Sequence, residues 1–214
     1  MTTYKNDLSK YLRETFAGED PILKQVRRAI PERGMPAIQV EPEEGRFLQF
    51  LARASGGSLA LEIGALGGYS GIWIARGLRP DGRLISLELE PDRAEVAREH
   101  FAAAGLGERA EVRVGDALTL LPVLAALAPF DFVFIDAEKN RYQAYFDWAV
   151  ENIKIGGIIA AHNALRGGRV YDAEADDANT QNMRAFNAYV AREARLISTI
   201  YPAGDGTLVA VRAA

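Results

Sequence analysis

From residue 58 onward, short apolar segments alternate regularly with helical segments, and this alternation constrains the fold more than any other feature. The apolar segments have the length of strands and lie at residues 58–63, 83–88, 110–114, 131–136 and 158–162. Helical segments begin between them, near Tyr69, Pro91, Ala117 and Arg141. Strands that alternate with helices are joined by right-handed crossovers and pair in parallel. The pattern therefore predicts an α/β fold with a doubly wound, mainly parallel sheet.

The two ends of the chain depart from this alternation. Before residue 58, apolar residues such as Tyr4 recur at helical spacing and predict three helices, the third of which begins at Pro42. After a helix predicted over residues 180–192, two strand-like segments at 196–201 and 207–212 follow in close succession. The short link between them predicts an antiparallel hairpin at one edge of the sheet.

Length and composition limit the number of domains and the kinds of partner. A chain of 214 residues fits one domain, with helices in residues 1–57 covering the site and an α/β core in residues 58–214 binding a cofactor. Lys and Arg number 25 against 29 Asp and Glu, so we expect no nucleic acid partner. No apolar run approaches the roughly 20 residues of a membrane helix, so we expect no membrane partner. The chain has no cysteine and its first 16 residues lack a signal-peptide core, so we expect a cytoplasmic location.

The first strand runs into a glycine-rich turn, Glu62-Ile63-Gly64-Ala65-Leu66-Gly67-Gly68-Tyr69-Ser70, which opens a helix. In the dinucleotide fingerprint G-x-G-x-x-G, the first position is glycine, whereas this chain has Glu62 there. A carboxylate at that position would repel a pyrophosphate. It suits a nucleoside with a cationic tail, such as S-adenosylmethionine. The alternative is that the glycines serve close packing of helix on strand.

Acidic residues follow the second and third strands, at the edge of the sheet where ligands bind in such folds. Glu88 ends the second strand at about the spacing of an acid that binds ribose hydroxyls, and Glu90 competes for that role. Asp116 and Ala117 follow the third strand and could face an adenine edge, although a helix N-cap explains Asp116 equally well.

The fourth and fifth strands end in Asp136-Ala137-Glu138-Lys139 and in His162-Asn163. These two ends should be neighbours in the sheet. An aspartate, an imidazole and an amide oxygen at one mouth could hold a divalent cation, and Lys139 could act as a base beside it. This interpretation depends on topology, since a lone histidine or lysine at such a place is usually structural or solvated.

Taken together, seven segments resemble the cation-dependent O-methyltransferases related to caffeoyl-CoA and catechol O-methyltransferases. The segments are LEIGALGGYSG (61–71), LELEP (87–91), VGDA (114–117), FIDAEK (134–139), HN (162–163), MRAFN (183–187) and GDGT (204–207). The resemblance implies a Rossmann-like class I methyltransferase fold with seven strands, the last of them antiparallel. It also implies a homodimer.

Site residues follow from the resemblance position by position. The cofactor contacts it implies are Val40, Glu62, Gly64, Ala65, Ser70, Glu88, Asp116 and Ala117. Asp136 would touch both cofactor and metal, and Lys139 would be the base that takes a phenol proton. Asp136, His162 and Asn163 would be the metal ligands.

His162 departs from the family pattern, in which the fifth strand ends in Asp-Asn. A neutral imidazole removes one formal negative charge and offers nitrogen where magnesium prefers oxygen, so magnesium affinity should fall. Three hypotheses remain: manganese, cobalt or zinc uses the imidazole; no metal binds and His162 is the base; or catalysis is lost.

These observations predict an S-adenosylmethionine-dependent O-methyltransferase that acts on a small hydroxylated, phenolic or catecholic acceptor by in-line displacement. Two alternatives belong to other classes of protein. A non-catalytic protein that binds S-adenosylmethionine would keep the cofactor site without turnover. A nicotinamide-dependent oxidoreductase would share the fold class, but Glu62 disfavours it.

Overall fold

The computed structural model describes the backbone of residues 2–214 and the side chains from residue 7 onward. Met1 and the side chain of Tyr4 lie outside this described part. Three helices come first, as predicted: α1 (Thr2–Thr15), α2 (Pro21–Glu32) and α3 (Pro42–Ala54). Both α2 and α3 begin with proline, whose fixed φ and missing N–H suit the first helical position.

A seven-stranded sheet forms the centre of the molecule. Its strands are β1 (Leu59–Ile63), β2 (Arg83–Glu88), β3 (Ala110–Val114), β4 (Phe130–Ile135), β5 (Ile153–Ala161), β6 (Leu196–Tyr201) and β7 (Thr207–Arg212). The spatial order is β3-β2-β1-β4-β5-β7-β6, with β1 to β5 parallel and β7 antiparallel to both β5 and β6. The predicted α/β class, the doubly wound parallel sheet and the antiparallel edge hairpin are confirmed.

Helices cover both faces of the sheet. The remaining five are α4 (Tyr69–Gly77), α5 (Pro91–Ala103), α6 (Ala117–Leu124), α7 (Tyr142–Asn152) and α8 (Ala178–Val190). One apolar core lies between the sheet and α2 to α5, and a second lies between the sheet and α6 to α8. None of the helices described between Thr2 and Val190 is long and apolar enough to span a membrane.

The fifth strand is longer than the sequence predicted. It begins at Ile153 and not at residue 158, and it includes Gly156, whose φ is +78°. The register against β4 shifts between Phe130 and Phe132, so Gly156 and Gly157 lie at an irregularity inside the strand. The strand still ends at Ala161, and this places His162 beside the end of β4.

Strand order reverses between β1 and β4, because β1 to β3 run to one side and β4 to β7 to the other. In open parallel sheets, ligands bind at such a switch point, beyond the carboxyl ends of the strands. The residues that follow β1, β2, β3 and β4 therefore converge on one crevice.

Candidate active site

A cavity of about 820 Å³ occupies this crevice. Its volume lies in the range of small-molecule sites. Ten of the predicted site residues line it: Val40, Gly64, Ala65, Ser70, Glu88, Asp116, Ala117, Asp136, Lys139 and Asn163. Two predicted site residues, Glu62 and His162, are buried behind its wall and do not line it.

The loop between β1 and α4 passes close to the end of β4. Gly64 has a φ of +98°, and a Cβ atom on it would lie 2.1 Å from the carbonyl oxygen of Asp136. Only glycine fits such an approach of two backbones. The segment from Gly64 to Ser70 contains no basic side chain, so it offers no counter-charge to a pyrophosphate.

Glu62 lies beneath this loop, fully buried. Its two carboxylate oxygens each accept a hydrogen bond of 2.6 Å, one from Ser70 Oγ and the other from Ser86 Oγ. Burial raises its pKa to about 7, against the opposing effect of the two serine hydroxyls. The predicted direct contact with a cationic ligand does not match this position, because both oxygens are directed at serines under the loop.

Glu88 is the strand-end acid that the structure fixes at the cavity wall. Its Oε2 accepts a 2.7 Å hydrogen bond from the backbone N–H of Leu66, and its Oε1 accepts one of 3.1 Å from the N–H of Glu90. Glu88 therefore ties the glycine-rich loop to the end of β2. Each oxygen retains further acceptor capacity toward the cavity.

Asp116 has two partners. It is the N-cap of α6, accepting 2.8 Å from the N–H of Leu118, and it forms a 2.6 Å ion pair with Arg141. The hydrogen bond from Arg141 lowers the pKa of Asp116 below its usual value. The N-cap interpretation of this residue is confirmed, and its position at the cavity wall keeps the cofactor prediction open.

Four charged side chains meet where β4, β5 and α3 come together, and we call Glu44, Asp136, Lys139 and His162 the charge cluster. Asp136 Oδ1 accepts a 3.1 Å hydrogen bond from Lys139 Nζ, and Asp136 Oδ2 lies 3.1 Å from His162 Nδ1. On the far side of the imidazole, Nε2 lies 2.9 Å from Glu44 Oε1. The histidine side chain is 5% exposed and bridges two carboxylates.

Electrostatics fix the charges in this cluster. Burial disfavours the charged form of His162, but Asp136 and Glu44 outweigh it and raise its pKa to about 10. Burial also opposes the charge of Asp136, yet the positive charges of His162 and Lys139 lower the pKa of this carboxyl below its usual range. At neutral pH His162 is therefore an imidazolium ion. An imidazolium has no lone pair, so the hypothesis that His162 is the general base does not fit the site.

The three predicted metal ligands do not present free donor atoms to an ion. Both ring nitrogens of His162 face carboxylates, and both oxygens of Asp136 face cationic donors. Asn163, at a φ of +57°, donates from Nδ2 to Asp205 Oδ2 at 2.8 Å. Within the described residues, no three His, Asp or Glu side chains are grouped so as to hold a metal ion. The residues present therefore do not fit a divalent cation.

Lys139 is held at the cavity wall by two neighbours. Its Nζ donates to Asp136 and, at 2.5 Å, to the hydroxyl of Tyr142, which is buried in the core. The lysine side chain is 12% exposed and lines the cavity. This arrangement presents one amine to a bound molecule and restrains its position from behind.

The cavity beside Lys139 is polar. The turn at residues 139–141 contacts α8, whose Asn179 and Asn182 line the cavity together with Arg166. Neither Tyr171 nor Trp148 lines the cavity: Tyr171 is exposed, and Trp148 packs on Phe130.

Sequence reasoning missed Glu44 and Arg141. Glu44 is in the first turn of α3 and forms a capping box with Glu41, a role that fully explains an acid at that position. Its contact with His162 joins residues 118 positions apart, and its Oε1 also accepts 3.1 Å from the N–H of Asp205. No local sequence pattern predicts contacts between residues so far apart in the chain. Arg141 follows Lys139 closely, and its partner Asp116 was identified without it.

Comparison with known proteins agrees with this architecture. The model of the O-methyltransferase family matches residues 13–213. A catechol O-methyltransferase of Mycobacterium tuberculosis is 40% identical over 210 residues, which cover 96% of this chain and 94% of that protein.

Two solved structures cover nearly the whole chain. The O-methyltransferase from Bacillus cereus in complex with SAH is 36% identical, with a TM-score of 0.90 over 99% of this chain and 100% of that one. The O-methyltransferase TomG from Streptomyces achromogenes, in complex with SAM, is 36% identical with a TM-score of 0.87 over 99% and 98%. The resemblance drawn from the sequence is confirmed, and the chain belongs to the O-methyltransferase family.

Proposed function

We propose that this O-methyltransferase moves the methyl group of S-adenosylmethionine to a hydroxyl of a small phenolic or catecholic acceptor, with Lys139 as the base. One observation carries the proposal. The amine of Lys139 lies in the wall of the cavity, held by Asp136 and Tyr142, at the end where polar side chains of α8 gather.

The opposite end of the cavity fits the methyl donor. Gly64, Ala65 and Ser70 form a wall without basic groups, and Glu88 offers carboxylate oxygens suited to ribose hydroxyls. Glu62 lies directly beneath that wall and adds negative charge when ionised, which favours a cationic ligand. S-Adenosylmethionine supplies an electrophilic methyl carbon, and relatives of this chain have been solved with SAM or SAH bound.

Lys139 removes the proton that prevents attack. Lys139 is paired as an ammonium ion with Asp136 at rest, so it first releases a proton to solvent; the neutral amine then takes the phenol proton and again becomes an ammonium ion, whose charge Asp136 stabilises. The acceptor oxygen then forms a bond to the methyl carbon as the carbon–sulfur bond breaks, and sulfur keeps the bonding pair. Positioning the two reactants contributes much of the acceleration, since little other chemistry is required of the protein.

The polar wall supports a catechol-like acceptor. Asn179, Asn182 and Arg166 can bond a second oxygen on the ring while the first faces Lys139. A relative that is 40% identical is named a catechol O-methyltransferase.

We also propose a homodimer in the cytoplasm. Phe50 is 63% exposed on α3, and Ile197 is 71% exposed on the edge strand β6. Phe47 of α3 stacks on Tyr201 of β6 with ring centroids 4.1 Å apart. Exposed apolar side chains next to an unpaired strand edge suit a second copy. Light scattering should give twice the monomer mass, and Phe50→Glu should reduce it to the monomer mass. A monomeric wild type would contradict this assignment.

The function is tested by transfer of a labelled methyl group from S-adenosylmethionine to a panel of catechols and hydroxycinnamoyl esters. We expect mono-O-methylated catechol products from the wild type and none from Lys139→Ala. Lys154→Ala is a matched control, since Lys154 pairs with Asp131 away from the cavity. S-Adenosylmethionine binding without transfer to any hydroxylated acceptor would favour the non-catalytic alternative.

A further inference from the structure

The position where related enzymes would place a metal ion contains an ion pair network in this chain. Ionised carboxylates accept hydrogen bonds and cannot donate them. His162 faces Glu44 at one ring nitrogen and Asp136 at the other, so an imidazolium with hydrogen on both nitrogens satisfies both carboxylates. Neither nitrogen can then coordinate a metal, whichever metal is offered.

We propose that His162, held between Glu44 and Asp136, is a fixed internal cation that makes methyl transfer by this enzyme independent of a divalent metal. This inference rests on the proposed function for its catalytic part. Its structural part, the exclusion of the ion by a buried imidazolium, stands on the contacts alone.

Glu44 is the second carboxylate that holds His162, so the charge cluster needs no added ion. Its Oε2 accepts 2.9 Å from the backbone N–H of Glu41, and its Oε1 accepts from His162 and from the N–H of Asp205. Three donors hold this buried carboxylate in place. A Cβ on Gly204 would fall 2.2 Å from its carboxyl carbon, so the turn between β6 and β7 closes directly over it.

The charges in the cluster balance without an added ion. The cluster contains two carboxyl groups, Glu44 and Asp136, and two basic groups, His162 and Lys139. A divalent cation could enter only by displacing the imidazolium from between its two carboxylates, and the displaced charge would be left buried without partners.

His162 acts through Asp136 and not on the acceptor, because it does not line the cavity. His162 compensates the charge of Asp136 and orients its carboxylate, which accepts a hydrogen bond from Lys139 Nζ. His162 and Glu44 are therefore positioning residues. Their function is to hold Asp136, and through it Lys139, in position at the cavity wall.

Titration calorimetry with Mn²⁺ on metal-stripped protein tests the exclusion without any acceptor. We expect no stoichiometric binding to the wild type, and methyl transfer that changes less than twofold between chelator and added Mg²⁺ or Mn²⁺. His162→Asp removes the internal cation and leaves three clustered carboxylates, so it should bind Mn²⁺ at least tenfold more tightly than the wild type. Glu43→Gln is the matched control, since Glu43 is buried in the same helix turn but contacts Ser9; it should gain no affinity.

Nitrogen NMR gives a second measurement on the unmodified protein, which has two histidines. Both ring nitrogens of His162, assigned by its loss in His162→Gln, should carry a directly bonded hydrogen at pH 7.5. A single protonated nitrogen, or one Mn²⁺ bound per wild-type chain with transfer abolished by chelator, would overturn the proposal. Failure of transfer on every acceptor with both physical results intact would overturn the proposed function and its catalytic part instead, and leave the exclusion of the ion standing.

Discussion

The two ends of the cavity are built in different ways. The cofactor end is formed largely by residues at or just beyond the ends of β1, β2 and β3, so each of these lies next to the strand that positions it. The charge cluster instead joins the ends of β4 and β5 to α3, with partners as far apart as Glu44 and His162. The cofactor end is thus a property of local motifs, whereas the charge cluster exists only in the folded chain.

The two ends of the cavity also differ in how their charged side chains are compensated. At the cofactor end, Glu88 receives two backbone N–H groups and faces the cavity. In the charge cluster, each buried charge is compensated by another side chain, and removal of one leaves its partner uncompensated. Substitutions in the cluster should therefore have larger effects than those at the cofactor end.

The largest expected effect is on catalysis by Lys139→Ala. Loss of the base should lower kcat by about 10²–10⁴-fold, the usual contribution of a positioned acid or base. S-Adenosylmethionine affinity should change less than about twofold, because the cofactor end is untouched. Steady-state kinetics and calorimetry on one preparation would separate the two quantities. An unchanged kcat would remove Lys139 from the mechanism.

Glu44→Ala should have the largest effect on stability. Without Glu44, His162 and Lys139 share Asp136 as their one carboxylate partner, and the resulting uncompensated buried charge should cost about 3–5 kcal/mol in the free energy of unfolding. Urea denaturation would measure it. Glu95→Ala breaks an exposed pair with Arg98 and should cost less than about 1 kcal/mol. Equal effects of the two variants would mean that the charge cluster contributes no more than a surface pair.

Much of the fold could be predicted from the sequence, because strand and helix periodicity are local. The antiparallel hairpin of β6 and β7 was evident from the short link between two apolar segments. The early start of β5 was not, since Gly156 and Gly157 are typical of a helix end as well as of a strand irregularity.

The site residues, too, could be predicted where their role is local and were missed where it depends on distant contacts. Glu88 and Asp116 were identified because they follow strands. Glu62 was identified too, but the side chain points under the loop, and the direction of a side chain at a strand end depends on which serines lie below it. Glu44 was missed because its capping box with Glu41 accounts for it locally. A residue with a sufficient local role gives no sign of a distant one.

Raising the pH should lower the free energy of unfolding, because His162 loses its proton and the charge cluster then stabilises the fold less. His162 has a pKa of about 10 in the folded protein and about 6.5 when unfolded, so its contribution is complete below pH 6.5 and is lost as the pH rises through 10. Between pH 6.5 and 10 the wild type should lose about 4 kcal/mol more of its free energy of unfolding than His162→Gln. Urea denaturation at successive pH values would show it. Parallel pH curves for the two proteins would mean that His162 is neutral in the fold.

The smallest of these effects concerns the cofactor end. Glu88→Ala should weaken S-adenosylmethionine binding by more than about tenfold, since hydrogen bonds to a charged group contribute about 1.5–3 kcal/mol. Glu90→Ala is the matched comparison: Glu90 also lines the cavity but receives no ordering contact like that from Leu66 to Glu88. It should change the affinity less than about twofold by calorimetry. If Glu90→Ala weakened binding more than Glu88→Ala did, the ribose acid would be Glu90, and Glu88 would serve only to hold the glycine-rich loop.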